Sequence, residues 1–240
     1  MIKIVGQRIE LKEATQQDID EIYYWKYEEK EQEAKKWNGP YIPESKMTIE
    51  EFQKKWEQDY EIAPNTPNTL IIFVEGKLIG TVGSYWVDKN TNWLETGIVI
   101  YDKDYWNGGY GMEAYKLWID FLFSSTDLHR LGMSTWSGNV RMMKVAEKIG
   151  MKEEARIRQA RIVDGEYFDA IKMGILRKEW EELDRNIRTC IFSNSWEVNL
   201  LKFKSRKDWW LSTIVWVAII FILGSGVYAL LIKHWIFWDL

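Results

Sequence analysis

A glycine-rich segment in the middle of the chain carries the strongest chemical signal in the sequence. The apolar stretch GIVIY at residues 97–101 leads into it, and the segment itself opens a helical pattern. Glycines let the backbone approach a ligand closely, and the free N–H groups at a helix start attract anions. We therefore expect a phosphate or pyrophosphate at five neighbouring residues, Asn107, Gly108, Gly109, Tyr110 and Gly111.

The spacing of these glycines differs from two common phosphate-binding patterns. No Gly-Lys-Ser/Thr follows the segment, as a P-loop requires, and the glycines do not form the GxGxxG pattern of dinucleotide sites. From these residues alone, an ordinary turn between a strand and a helix is nearly as good an explanation. The choice between the two depends on the rest of the chain.

The counts of cysteine, histidine and charged residues narrow the chemistry further. The 240 residues include one cysteine, Cys190, and two histidines, His129 and His234. These counts exclude an internal disulfide framework and any multi-cysteine or multi-histidine metal centre, so we expect no metal. The formal net charge of -4 argues, though weakly, against nucleic acid as a partner.

Three blocks of sequence form a further pattern. They are WNGGYGMEA (106–114), then LHRL (128–131) with SGN (137–139) and AEKIGM (146–151), then DGEYFD (164–169) with ILRKEW (175–180). In their order and gaps these blocks resemble the GNAT superfamily of N-acetyltransferases, and more narrowly its ribosomal-protein N-acetyltransferase-like branch. The resemblance covers about residues 7–180 and does not extend into residues 181–240.

This resemblance implies an α+β (mixed α/β) fold, in which helices flank a splayed, mostly antiparallel sheet. It also implies acetyl-CoA as the cosubstrate. The turn that starts at Trp106 would hold the pyrophosphate, and the strand backbone at Ile98 and Ile100 would pair with the pantetheine arm like an added strand. Asn139 would hydrogen-bond the pantetheine, and a plain helix N-cap is an equally good interpretation of Asn139.

Glu95 is the candidate base for the chemistry that the resemblance implies. Acyl transfer from a thioester to an amine needs an unprotonated amine and a polarised carbonyl. Glu95 lies on the strand expected to line the cleft, where it would act directly or through water, and the alternative is a glutamate that faces solvent. Relatives often carry a serine or tyrosine acid after the asparagine. Met142 and Met143 occupy that region here, so we expect no dedicated general acid.

Three further side chains fit structural roles better than catalytic ones. Glu113 lies beside the expected pyrophosphate, which a carboxylate would repel. Tyr167 is interpreted as a packed residue of the closing hairpin, with a role as general acid the more distant alternative. Cys190 lies outside the matched region without an activating neighbour in sequence, so we do not expect a covalent cysteine mechanism.

Hydrophobic periodicity and turn residues predict a mixed order of strands and helices. Thr15 is a good helix cap, and the helix that it starts is expected to run to about Lys36. The other predicted helices are 48–60, 109–123 and 140–149, and the predicted strands are 3–11, 69–74, 78–87, 93–101, 131–136, 155–163 and 167–176. This order is the one that the family resemblance implies.

The last sixty residues have a different composition from the rest. The 22 residues 211–232 carry no charge. As a helix they would extend about 33 Å, which is enough to cross a bilayer, whereas a buried core helix is the alternative. We expect a catalytic domain at 1–180, a basic connector at 181–208, a transmembrane helix at 209–234 and a short tail at 235–240.

The flanks of this apolar run predict its orientation. Tryptophans border it at both ends, and most of the nearby basic residues precede it. The first fifteen residues lack the apolar core of a secretory signal. We therefore expect a cytoplasmic catalytic domain that is anchored at the inner face of the cell membrane.

The expected function is an N-acetyltransferase that moves an acetyl group from acetyl-CoA directly to an amine. The acceptor would be a peptide or protein N-terminus or a small-molecule amine, and the net charge of -5 over residues 1–180 favours, though weakly, a cationic one. One alternative is a non-catalytic acyl-CoA-binding or scaffold protein anchored to a membrane. Another is a small membrane module with a regulatory acetyltransferase-like domain, and homodimer formation stays open.

Overall fold

The structure is a computed structural model that describes residues 2–43, 45–58 and 61–183, all of which belong to one compact unit, Met1–Asp184. The predicted transmembrane helix, the short tail and most of the predicted connector lie outside the described residues. None of the helices within the described ranges is both long enough and apolar enough to cross a membrane.

Within the described residues, ten strands account for most of the regular structure. Strands β1, β2 and β5 to β10 form one sheet in the order β1-β2-β5-β6-β7-β8-β10-β9, and β3 and β4 form a separate pair. All neighbouring strands are antiparallel except β7 and β8, which are parallel. Their bounds are β1 Lys3–Val5, β2 Glu10–Lys12, β3 Glu61–Ala63, β4 Thr66–Pro67, β5 Thr69–Val74, β6 Lys77–Asp88, β7 Trp93–Ile100, β8 Arg130–Trp136, β9 Lys152–Val163 and β10 Glu166–Leu176.

Helices pack on both faces of this sheet. A helix that begins at residue 177 continues to the end of the described residues at 183. In the part of the chain that the structure describes, the four complete α-helices are α1 Gln16–Tyr23, α2 Ile49–Gln58, α3 Tyr110–Ser125 and α4 Val140–Lys148. The expected α+β fold, with a mostly antiparallel sheet flanked by helices, is therefore confirmed.

Two apolar cores lie on opposite faces of the sheet, and β5 contributes buried side chains to both of them. Leu70 and Ile72 face the core that includes α3 and α4, and Ile71 between them faces the core that includes α1 and α2. This alternation follows from the two-residue period of a strand. The larger core includes the buried Trp118 of α3, whose indole N–H donates to the backbone carbonyl of Gly83 at 3.1 Å.

The sheet opens between its two parallel strands. β7 and β8 pair over only three residues, from Trp93 opposite Arg130 to Glu95 opposite Gly132. Beyond that point β7 continues to Ile100 and β8 to Trp136 without pairing to each other. The splayed sheet that the family resemblance implies is present, and its apex lies at Glu95.

Thr96 occupies the position where the two strands separate. Its hydroxyl donates to the carbonyl oxygen of Gly132 on β8 at 2.9 Å, and it also lies 2.7 Å from the hydroxyl of Tyr115 on α3. Both hydroxyls are buried. The Thr96 hydroxyl therefore gives the Gly132 carbonyl a hydrogen bond that a backbone N–H would have given if the two strands had stayed paired.

The prediction of one long helix over residues 15–36 is wrong beyond Tyr23, where α1 ends. α1 begins as expected with the capping box formed by Thr15 and Asp18. It is followed by a π-helical turn, Tyr24–Glu28, and by a short 3-10 helix, Glu33–Lys36. The Glu29 carboxylate accepts the N–H groups of residues 31 and 32, which favours a turn over a continued helix.

Three other boundaries differ from the prediction. The predicted strand at 3–11 is a short hairpin of β1 and β2, closed by a bond from Gly6 N–H to the Ile9 carbonyl at 2.9 Å. β9 begins at Lys152, three residues earlier than predicted. The chain around Pro64, interpreted as a break, contains the small β3–β4 pair.

Candidate active site

A cleft of about 1000 Å³ occupies the opening between β7 and β8. The second half of β7, the turn before α3, the end of β8, α4 and the loop at residues 37–43 line it. Tyr85 of β6, Arg161 of β9 and Lys172 of β10 also reach its wall. The splayed sheet therefore creates a site with an edge of unpaired strand along one side.

The pairing of β7 with β6 determines which of its backbone groups face the cleft. The N–H of Tyr101 donates to the carbonyl of Ile79 at 2.8 Å, so the alternation of an antiparallel ladder directs the groups of Ile98 and Ile100 away from β6. The Trp106 indole N–H already binds the Ile100 carbonyl at 3.0 Å. Ile98 and Ile100 both line the cleft wall, as expected, but the carbonyl of Ile100 is already occupied there.

The glycine-rich turn has the backbone shape of an anion site. Asn107 and Gly109 both have positive φ, 61° and 83°, and Gly109 is the N-cap of α3. The first helical bond runs from Glu113 N–H to the Gly109 carbonyl at 3.1 Å. The N–H groups of the three residues between them therefore have no partner within the helix and are free for a ligand.

Arg8 and Glu113 brace this turn from behind. The Glu113 carboxylate accepts the N–H groups of Gln7 and Arg8 at 2.6 and 2.9 Å and pairs with the Arg8 guanidinium at 3.1 Å. The guanidinium also donates to the Gly108 carbonyl at 2.7 Å and lies 4.8 Å from the Tyr110 ring centre. Glu113 is a structural residue, as predicted.

An arginine between two indoles spans the cleft near this turn. The guanidinium carbon of Arg141, on the first turn of α4, lies 4.6 Å from the ring centre of Trp37 and 4.8 Å from that of Trp106. Cation–π contacts of this kind contribute about 0.5–1 kcal/mol each at exposed sites. Sequence reasoning missed Arg141, because its partners are distant in sequence.

Asn139 caps α4 and also holds the loop at Trp37. Its side-chain oxygen accepts from Met142 N–H at 3.1 Å, which confirms the N-cap interpretation. Its amide donates to the Trp37 carbonyl at 3.0 Å, and the Trp136 indole donates to the same oxygen at 3.1 Å. Asn139 lines the cleft, so its predicted contact with pantetheine stays a prediction.

Glu95 lies at the apex of the cleft, within a cluster of polar side chains. Its carboxylate accepts from Lys172 Nζ at 2.5 Å, from Ser134 Oγ at 2.5 Å and from the Tyr85 hydroxyl at 2.8 Å. Glu95 itself is only 1% exposed, so the alternative of a solvent-facing glutamate is wrong. The three donors lie on the cleft wall, in front of the carboxylate.

The charges in this cluster are held in defined states. Burial raises the pKa of Glu95, but the hydrogen bonds from Lys172, Ser134 and Tyr85 outweigh burial and lower the pKa below its usual range. Burial, with the hydrogen bond to the Glu95 carboxylate, raises the pKa of the Tyr85 phenol. At neutral pH the carboxylate is therefore ionised and the phenol is protonated.

Strand register explains how four strands supply this cluster. Tyr85 of β6 lies directly opposite Glu95 of β7, and Ser134 of β8 lies opposite Lys172 of β10. Glu95 in turn pairs with Gly132 of β8, two residues from Ser134. Sequence reasoning missed Tyr85, Ser134 and Lys172. These residues meet Glu95 only through the pairing of four strands, including the parallel pairing of β7 with β8.

The remaining candidate side chains differ in whether they line the cleft. Met142 lines the cleft, where it offers no acidic proton, as expected. Tyr167 is 63% exposed rather than packed, and it is absent from the cleft wall. Cys190 lies outside the described residues. Those residues contain no cluster of three potential metal ligands, and the absence of a metal stays a prediction.

The splayed sheet and the glycine-rich turn at its open edge define an α+β domain with a cleft between its two parallel strands. The family model for the acetyltransferase (GNAT) domain matches residues 8–152, which is more than half of the chain. The chain therefore belongs to the GNAT family, whose members are acetyl-CoA-dependent N-acyltransferases. The family predicted from the sequence is therefore confirmed.

Individual relatives agree with this assignment. The Bacillus subtilis protein named "Putative ribosomal N-acetyltransferase YdaF" is 27% identical over 46% of this chain and 60% of its own length. The "Probable N-acetyltransferase YjcK" of the same species is 28% identical over 56% of this chain and 72% of its own length. The chain thus spans less than two thirds of the first of these relatives.

A solved structure shows the same fold. Spermidine N-acetyltransferase from Vibrio cholerae, in complex with CoA and spermine, superposes with a TM-score of 0.61 at 17% identity. The superposition covers 73% of this chain and 99% of that one. At this identity the likeness extends to the fold.

Proposed function

We propose that this protein is an N-acetyltransferase that transfers the acetyl group of acetyl-CoA to an amine. The observation that carries this proposal is a continuous path through the cleft. The path begins at the free N–H groups of the turn before α3, follows the unpaired edge of β7, and ends at the Glu95 cluster. Its three parts match the pyrophosphate, the pantetheine arm and the thioester of acetyl-CoA.

Each part of the cofactor has protein groups to bind it. The turn at Asn107–Gly111 offers backbone N–H groups to the pyrophosphate. The outward backbone groups of Ile98 pair with the amides of the pantetheine, as an added strand would. Asn139 keeps one amide hydrogen for the same arm after it binds the Trp37 carbonyl.

In the proposed mechanism, Tyr85 connects the acceptor amine to Glu95. The Tyr85 hydroxyl donates its proton to the carboxylate, so its oxygen is left to accept a hydrogen bond from the amine. As the amine nitrogen bonds to the thioester carbon, it becomes strongly acidic. Its proton passes to the Tyr85 oxygen while the phenol proton passes to Glu95, and solvent protonates the departing thiolate.

This scheme revises the expected role of Glu95. The predicted base would act directly or through water, but three protein donors already surround the carboxylate and it lies behind the cleft wall. We therefore place Tyr85 in contact with the substrate and Glu95 one step behind it. Lys172 and Ser134 hold the carboxylate in place through their hydrogen bonds.

Calorimetric titration of the full chain with acetyl-CoA tests the cofactor part of the proposal. We expect binding that free phosphate weakens by competition, because both anions use the same turn. A folded protein that shows no heat of binding at millimolar acetyl-CoA would contradict the proposal. A chain that binds but never transfers would instead favour the acyl-CoA-binding alternative.

We also infer from the sequence that residues 209–234 anchor the protein in a membrane, with the catalytic part in the cytoplasm. The support is the uncharged run at 211–232 and its aromatic and basic flanks. The test is fractionation of cells that express the full chain, beside Ile220→Arg and a matched Ile220→Leu variant. We expect the first variant alone to leave the membrane fraction. A native chain found only in the soluble fraction would overturn the inference.

A further inference from the structure

The charge of the cleft wall is opposite to that of the whole chain. The chain has a net charge of -4, yet the described residues that line the cleft include no aspartate and no glutamate. They include five basic residues, Arg141, Lys144, Lys148, Arg161 and Lys172. The average charge, from which we expected a cationic acceptor, therefore does not represent the site.

Four of these five cations have an assigned partner or lie beside the cofactor path. Arg141, Lys144 and Lys148 lie on α4, and Arg141 packs against Trp106 at the start of the anion-binding turn. They therefore suit the phosphate groups of the cofactor. Lys172 is neutralised by its 2.5 Å ion pair with Glu95. Arg161, on β9, is the remaining basic residue of the cleft wall, and it has neither an ion-pair partner among the described residues nor a position beside the cofactor path.

Arg161 has donors to spare on the wall of the cleft. Its Nη1 donates to the Ala160 carbonyl at 2.9 Å, and its guanidinium carbon lies 4.6 Å from the ring centre of Tyr41. Its Nε is buried without a hydrogen-bond partner among the described residues, and none of their carboxylates pairs with it. A buried donor left unpaired costs free energy, which a ligand acceptor would recover.

The position of Tyr41 connects this arginine to the reaction centre. Tyr41 and Tyr85 both lie on the wall of the cleft that Arg161 lines. Tyr85 is the residue that would contact the acceptor amine. Because Arg161 and Tyr85 line one cleft and the basic residues of α4 suit the cofactor, we assign the group bound by Arg161 to the same acceptor molecule as that amine.

We propose that Arg161 binds a carboxylate of the acceptor, so that the substrate is an amine that carries its own carboxylate. The proposal rests on the proposed acetyl transfer and specifies its substrate class. Arginine offers a planar pair of donors that matches a carboxylate, and Tyr41 holds that plane by stacking. A polyamine has no such group and would meet a wall without described carboxylates.

Matched acceptors and variants test this proposal by their kcat/KM in a thiol-release assay with acetyl-CoA. The pairs are alanine against alaninamide, and an amidated Ser-Asp-Ala peptide against amidated Ser-Asn-Ala, with spermidine as the cationic acceptor. The first pair probes an amino acid carboxylate, and the second probes a side-chain carboxylate of a peptide. We expect one pair to show a preference for the carboxylate of about tenfold to a hundredfold.

Arg161→Gln should abolish that preference, because it should raise KM for the carboxylate acceptor about tenfold to a hundredfold more than KM for the amide partner. Arg158→Gln is the matched control, because it removes the same charge from an exposed position of the same strand. Equal rates within both pairs, or spermidine as the best acceptor, would overturn the proposal and leave acetyl transfer intact. No turnover with any amine, despite acetyl-CoA binding, would overturn both.

Discussion

At the level of single residues, the proposed proton transfer depends on one buried carboxylate and on the phenol in front of it. Glu95 is buried and ionised, and Tyr85, like Ser134 and Lys172, both donates to the carboxylate and lines the cleft. A residue that relays a proton must lie between the substrate and the final acceptor. Tyr85 has that position and Glu95 does not.

Tyr85→Phe removes the relay while the ring keeps its place on β6. We expect kcat to fall about a hundredfold or more, because positioned proton transfer contributes that much, with little change in the KM for acetyl-CoA. Steady-state kinetics with one amine measure both constants. The exposed Tyr167→Phe is the matched control and should keep wild-type rates.

The lowered pKa of Glu95 also makes a prediction about stability. A carboxyl whose pKa is lower in the folded state stabilises the fold above its unfolded value, and that contribution is lost as pH falls through the folded pKa. The window therefore lies below the ordinary glutamate value of 4.5.

Urea unfolding of the native chain and of Glu95→Gln, from pH 7 down to pH 3, measures this effect. At pH 7 we expect the variant to be less stable by about 1–3 kcal/mol, since it loses hydrogen bonds to a charge. The difference should shrink below pH 4.5. A gap that stays constant through that window would show that Glu95 does not titrate as described.

At the scale of elements, the turn before α3 is the part that should bind the cofactor. Gly109 caps the helix with a φ of 83°, and an added Cβ would lie 3.0 Å from a guanidinium nitrogen of Arg8. Gly165 has a similar φ of 85° in the hairpin of β9 and β10, with open space around it. Both glycines adopt the left-handed backbone conformation, but only Gly109 lies in the turn that should bind the cofactor.

Gly109→Ala should weaken acetyl-CoA binding at least about tenfold, because strain in the turn and displacement of Arg8 disturb the free N–H groups. Gly165→Ala should cost about 1 kcal/mol of stability through the same left-handed strain, with an unchanged Kd. Calorimetry and thermal unfolding measure the two quantities. Equal affinity in both variants would contradict the role of the turn.

The sequence predicted these elements to different degrees. The turn at 107–111, the helix that it caps and the strand edge at Ile98 follow from local patterns and the family resemblance. Local patterns failed at α1, where Glu29 ends the helix through contacts that periodicity does not report. The contacts around Glu95 depend on the register of four strands, and no local sequence pattern specifies that register.

At the scale of the whole molecule, net charge and site charge have opposite signs. The basic residues of α4 and the free N–H groups of the turn should attract a polyanionic cofactor to an acidic protein. Contacts of that kind weaken as salt screens them.

The affinity for acetyl-CoA should therefore decrease steadily between 50 mM and 500 mM salt. Lys148→Gln, which removes one cation from the cleft wall, should reduce that dependence. Lys178→Gln, outside the cleft wall, should leave it unchanged. Titrations at several salt concentrations measure the slope, and a flat dependence in the native chain would argue against a phosphate site at the turn.

The central claim is acetyl transfer from acetyl-CoA to an amine at the Glu95 end of the cleft. The most direct measurement is thiol release by the full native chain over a panel of amines, with mass spectrometry of the acceptor. The account predicts release that depends on the amine, an acceptor heavier by one acetyl group, and loss of both in Tyr85→Phe. A native chain that binds acetyl-CoA but acetylates none of the amines would contradict the account.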